Sequence, residues 1–111
     1  ETVLEQLKDF PETINFNDVI VFIDENYNFK PVRFVNGSIV NEANQNNGSC
    51  KIFSFAKMNN LSEKDTLALF GDFYRNDVLQ NPEGEDHQNI RNFIKYGWNG
   101  IRFTEDALEK V

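Results

Sequence analysis

The chain holds one cysteine, one histidine, three prolines and six glycines among 111 residues. A single cysteine forms no intramolecular disulfide, which points to a reducing compartment and a cytoplasmic location. One histidine and one cysteine are too few for an ordinary zinc site, and no EF-hand spacing occurs, so neither a metal nor another cofactor is expected. No apolar run approaches the roughly 20 residues that cross a bilayer. The longest, Val19-Ile20-Val21-Phe22-Ile23, stops at Asp24 and Glu25. The first residues, Glu1, Thr2 and Val3, lack the basic start and apolar stretch of a signal peptide. Positive charge is scarce, with 11 Lys and Arg against 18 Asp and Glu, a net −7. That balance argues against nucleic acid or an anionic membrane as partner, because both demand a basic patch. It leaves an unidentified ligand or protein partner. Phosphate-binding glycine loops, dinucleotide fingerprints and nucleophile elbows are absent; Asn47-Gly48-Ser49 lacks the second glycine an elbow needs.

What the chain has in abundance is phenylalanine, 11 residues of it. That supplies one hydrophobic core, and residues 1–111 read as a single domain. Val3 to Phe10 has a helical face of Val3, Leu4, Leu7 and Phe10, ended by Pro11. Phe16, Val19, Ile20, Ile23 and Tyr27 form a second helical stripe, opened by Asn15. Lys30 to Asn41 reads as a β-hairpin turning at Asn36-Gly37. A helix follows from about Ser49 to Met58. Ser62 to Asp65 is a capping signal for a helix reaching Leu79, with Gly71 marking a close packing contact or a kink. Asp86 caps a last helix whose Ile90, Phe93 and Ile94 face inward, ended by Gly97, with Trp98 packing back over its end. Ile101 to Phe103 is a candidate third strand, and Thr104 begins a frayed tail. The fold class is α+β, four or five helices packed with a short antiparallel hairpin.

Two polar segments stand out. One, Asn44 to Lys51, carries the only cysteine, Cys50; the other, Asp86 to Arg91, carries the only histidine, His87. Both have the character of a helix N-terminus, where backbone donors gather and anions are favoured. If they meet in space they form a polar pocket. Glu42, Asn46, Asn47 and Cys50 would build one side; Asp72, Arg75, Asp86, His87, Asn89 and Arg91 would build the other. Arg75 and Arg91 suit a carboxylate or phosphate, and equally suit pairing with Asp72, Asp77 or Asp86. Cys50 and His87 are the candidate catalytic pair. A thiol at a helix start with an imidazole base is the arrangement of a thiol-dependent hydrolase or transferase. The competing reading makes Cys50 a small buried hydrophobe and His87 a cap.

The segments FNDVIVFIDENY from Phe16, NEANQNNGSCKIFSF from Asn41, LFGDFYRNDV from Leu69 and DHQNIRNF from Asp86, with Gly97-Trp98, resemble the HopJ type III effector protein family. The resemblance spans nearly the whole chain. It implies a small bacterial protein of unestablished biochemical activity, a ligand- or protein-binding module. Export through a type III secretion system is implied by the family's name alone.

Overall fold

The structure, a computed structural model, describes residues 2–111. Helix α1 (Val3–Asp9) begins in a reciprocal capping box: the Thr2 hydroxyl accepts from the Glu5 amide, and the Glu5 carboxylate accepts from the Thr2 amide. Helix α2 (Phe16–Asn26) starts at Asn15, whose side chain accepts from the amides of Asn17 and Asp18. It buries Val19 and Ile23, as its apolar stripe predicts.

Strand β1 (Tyr27–Phe29) follows α2 directly, and the hairpin of β2 (Phe34–Asn36) and β3 (Ile39–Asn41) comes next. The turn lies one residue later than its sequence signal suggests. Gly37 and Ser38 make it, and Gly37 takes a φ of +62° at the first central position, where a type II′ turn calls for glycine. Asn36 is therefore the last strand residue, and it is fully buried. The predicted third strand forms: β4 (Ile101–Phe103) lies antiparallel to β2, giving the order β3-β2-β4. The expected frayed tail does not. β5 (Leu108–Lys110) pairs antiparallel with β1, and Ala107 and Leu108 are buried. The signal in Ala107-Leu108 is too short to be read without its partner strand.

Helix α3 (Asn47–Met58) is the central element. Phe53 on it is fully buried and meets Phe34, Phe70, Phe93 and Trp98 at ring-centroid distances of 6.1, 5.4, 5.0 and 6.5 Å. Burying one such ring stabilises the fold by about 2–3 kcal/mol. The single long helix expected after Ser62 is instead two pieces. Helix α4 (Glu63–Ala68) ends before Gly71, whose φ is +60°, and a π-helical segment runs from Phe73 to Val78. A Cβ on Gly71 would lie 2.9 Å from the Phe16 backbone nitrogen and 3.0 Å from the Ile14 carbonyl oxygen. Both sequence readings of Gly71, kink and close contact, are thus realised together.

Helix α5 (Gln88–Tyr96) begins two residues after Asp86. Asp86 does not cap it; the chain enters through His87 in a left-handed conformation, which turns the Asp86 carboxylate toward Arg91. Ile90 and Phe93 face inward with Asn89, while Ile94 is exposed. Ile94 lies roughly a quarter turn around the helix from Phe93. The inward face is set by Asn89 meeting the hairpin, not by the apolar pair of isoleucines. Gly97 ends the helix at φ +63°, and the Trp98 indole packs on Phe93 at 5.1 Å while its N–H donates to the Leu61 carbonyl.

Candidate functional site

The two polar segments meet. Asn46, Gly48 and Ser49 from the start of α3, and His87, Gln88, Asn89 and Ile90 from the start of α5, line one cleft of about 650 Å³. Phe16, Ile39, Phe70 and Phe73 supply its apolar wall. Gly48 lets α3 come this close, since a Cβ there would sit 2.9 Å from the tip of the Phe16 ring.

An asparagine network fixes the two helix starts to the hairpin. Asn89, at the second position of α5, accepts through Oδ1 from Nδ2 of Asn36 (3.0 Å) and of Asn41 (3.1 Å). Its own Nδ2 donates to Asn41 Oδ1 at 3.0 Å. Asn46 Nδ2 donates to the same Asn41 oxygen at 2.7 Å. Asn36 Nδ2 also donates to the Asn89 carbonyl at 2.8 Å. Asn36, Asn41 and Asn89 are buried, where unpaired amides would be costly.

The helix starts share an unusual feature. Asn46 (φ 53°, ψ 49°) and His87 (φ 51°, ψ 51°) both enter in the left-handed region, and neither side chain caps its helix. Helices α1, α2 and α4 are capped by Thr2, Asn15 and Ser62. In α3 the first amide to find a backbone acceptor is Cys50, on Asn46 O at 3.0 Å; in α5 it is Arg91, on His87 O at 3.1 Å. The amides of Asn47, Gly48 and Ser49, and of Gln88, Asn89 and Ile90, have no acceptor among the described residues.

His87 stands at the rim. Its Nε2 is 3.0 Å from Asp77 Oδ2 and 3.9 Å from Asp86 Oδ2, and its ring stacks on Phe73 at 5.0 Å. The ligand atoms of Asp77, Asp86 and His87 lie within 4.8 Å of one another, close enough to chelate a cation. The charges there are already matched in part: Arg91 Nη2 meets Asp86 Oδ1 at 2.5 Å and holds the Asp86 carboxyl below the usual carboxylate range.

Cys50 is not brought to His87. It is 1% exposed among the core side chains and does not line the cleft. No hydrogen bond joins the two among the described residues. Burial pushes the thiol pKa up, with hydrogen bonding to the Val32 backbone opposing it only in part. The helix start holds Cys50 on its inward side, while the cleft opens on the other.

The remaining predicted residues divide. Asn46 and Asn89 lie at the cleft; Asn47 begins α3 but does not line it. Glu42 is exposed and 3.6 Å from Arg33. Arg75 donates to the Ile14 carbonyl at 2.7 Å and to Asp72 at 3.2 Å, tying the π-helical segment to the turn before α2. Arg91 spans Asp86 and the carbonyls of Asn81, Pro82 and Asp77. Both arginines thus bind the fold's own carbonyls. Sequence reasoning missed Asn36 and Asn41, because Asn-Gly reads as a turn and a strand-end asparagine reads as solvated. It also missed the cleft's walls, since Phe16, Phe70 and Phe73 look like core.

The chain matches the HopJ type III effector protein family over residues 1–108. A solved structure described as the crystal structure of unknown function protein VPA0580 is similar, with 52% sequence identity and a TM-score of 0.96. The alignment covers 97% of this chain and 90% of that one. No curated protein matches the chain. On the extent of the family match, the chain belongs to the HopJ type III effector protein family.

Proposed function

We propose that this protein is a small binding module whose ligand is a small organic or inorganic anion held in the cleft between α3 and α5. The observation that carries the reading is the convergence of two uncapped helix starts on one cleft. The cleft-lining amides of Gly48 and Ser49, and of Gln88, Asn89 and Ile90, have no acceptor among the described residues, and each start carries the positive end of a helix dipole, roughly half a unit charge. An anion satisfies such donors without a lysine or arginine in the site, as helix-start phosphate sites do. The Phe16, Ile39, Phe70 and Phe73 wall suits an apolar body attached to the anionic group. The asparagine network holds both helix starts in place before the ligand arrives, which lowers the ordering cost of binding.

The test is a thermal-shift panel of sulfate, phosphate, pyrophosphate and small carboxylates against sodium chloride at matched ionic strength. Stabilisation by at least one anion beyond the chloride control is expected. Equal melting temperatures across the whole panel would overturn the reading.

A further inference from the structure

We propose that Asp77, Asp86 and His87 form a binding site for one divalent transition-metal cation at the rim of the cleft. The inference goes beyond the anion reading and does not depend on it. The scarcity of histidine and cysteine excludes a zinc-finger type of site. It leaves open a site of one imidazole and two carboxylates.

The donors come from two separate parts of the chain. Asp77 sits in the π-helical segment Phe73–Val78, a rare backbone form that recurs at functional sites. Asp86 and His87 sit in the turn that opens α5. Their ligand atoms converge within 4.8 Å of one another. His87 Nε2 is 3.0 Å from Asp77 Oδ2 and 3.9 Å from Asp86 Oδ2. An imidazole nitrogen carries at most one hydrogen, so it satisfies only one of the two. Asp77 is the nearer and takes it. Asp86 Oδ2 then faces the ring with no hydrogen-bond donor among the described residues. Beside a neutral imidazole, the two carboxylates stand against the single guanidinium of Arg91, so one negative charge is unmatched. A cation held between the three atoms supplies that charge and engages the idle oxygen.

The geometry suits a first-row ion. Ligand bonds of roughly 2.1 Å put neighbouring donors about 3.0 Å apart around an octahedral ion and about 3.4 Å apart around a tetrahedral one. His87 and Asp77 already have that spacing. Asp86 Oδ2 has on the order of 0.5 Å to close around a tetrahedral ion. Its side chain is 56% exposed, so no packing opposes the shift. The supporting contacts are in place: Phe73 stacks on the imidazole at 5.0 Å, and Arg91 Nη2 holds Asp86 by its other oxygen, Oδ1, at 2.5 Å. Outer contacts of this kind orient metal ligands. One nitrogen with two oxygens favours Mn²⁺, Fe²⁺, Co²⁺ or Zn²⁺ over Ca²⁺ and Mg²⁺, which prefer oxygen alone. Three protein ligands leave positions for water or for a donor atom of a molecule in the cleft, whose lining includes His87.

The test is calorimetric titration of the whole protein with Zn²⁺, and with Mg²⁺ for comparison. Zn²⁺ should bind one-to-one with a Kd below about 0.1 mM, and Mg²⁺ at least about tenfold more weakly. His87→Asn keeps a residue that tolerates the left-handed backbone at this position, and Asp77→Asn keeps the side-chain shape. Each should weaken Zn²⁺ binding by about tenfold or more. A second measurement needs no variant to fold: Mn²⁺ added to the ¹⁵N-labelled wild type broadens amide signals near the ion. The broadening should be strongest at Asp77, Asp86 and His87. No saturable Zn²⁺ binding would overturn the site. So would binding unchanged in both variants, or Mn²⁺ broadening centred on acidic residues elsewhere, either of which would mean an adventitious ion only. Each of these failures leaves the anion reading standing, because that reading rests on backbone amides.

Discussion

Asn41 and Asn89, 48 residues apart in sequence, hold each other through a reciprocal amide pair: each Nδ2 donates to the other's Oδ1, at 3.1 and 3.0 Å. This pair joins the hairpin to the start of α5, and Asn46 adds the start of α3 to it at 2.7 Å. Replacing Asn89 by leucine, similar in size and apolar, leaves Asn41 Nδ2 without an acceptor in the core and takes from Asn36 Nδ2 one of its two acceptors. Urea denaturation should show a loss of about 3 kcal/mol. Asn89→Asp should be comparably damaging near neutral pH, because a carboxylate oxygen would then face Asn41 Oδ1.

Gly71 should be the least replaceable glycine of the α4 to π-helix junction. Its φ of +60° disfavours any Cβ, and the Cβ would press on backbone atoms of the segment before α2, which cannot swing away. Gly71→Ala should cost about 2 kcal/mol or more, read as a lowered urea midpoint with an unchanged slope.

How far the fold was legible follows from these positions. The apolar stripe of α2, the Ser62 capping signal, the Gly97 stop and the β4 strand are local signals, and local signals were enough. The junction at Gly71 was flagged by a residue, but its outcome depended on the Ile14–Phe16 backbone arriving from elsewhere. The β1–β5 pairing was illegible because two three-residue strands far apart in sequence carry no period. For the site, the character of the two helix starts could be read from Asn44 to Lys51 and Asp86 to Arg91. That Cys50 points inward while His87 faces the cleft could not, because the side each presents depends on where the helix begins. The left-handed caps set α3 to begin at Asn47 and α5 at Gln88.

Cys50 should behave as a core thiol. Iodoacetamide should modify it only as fast as the protein opens, and urea should accelerate the reaction in step with unfolding. Its raised pKa also fixes a sign. A thiol that holds its proton more tightly when folded contributes stability in full below the ordinary thiol range, and that contribution is lost as pH rises through the folded value. The alkaline loss of stability should therefore be shallower in Cys50→Ala than in the wild type, measured as urea midpoint against pH.

Asp86 should show the opposite sign. Arg91 lowers its pKa, so its contribution is present above the ordinary carboxylate range and is lost as pH falls through the depressed folded value. In Arg91→Gln, the Asp86 carboxyl titration followed by NMR should move back up toward the ordinary range. The loop from Asn81 to Asp86 should exchange its amide hydrogens faster, because Arg91 holds the carbonyls of Asn81, Pro82 and Asp86.

The central claim is that the amides at the starts of α3 and α5 together receive an anion. A ¹H–¹⁵N NMR titration with sodium sulfate tests it most directly. The account predicts saturable shifts concentrated at Gly48, Ser49, Gln88, Asn89 and Ile90, with both helix starts moving along one binding curve. Shifts confined to exposed lysines, or following ionic strength without saturation, would contradict it.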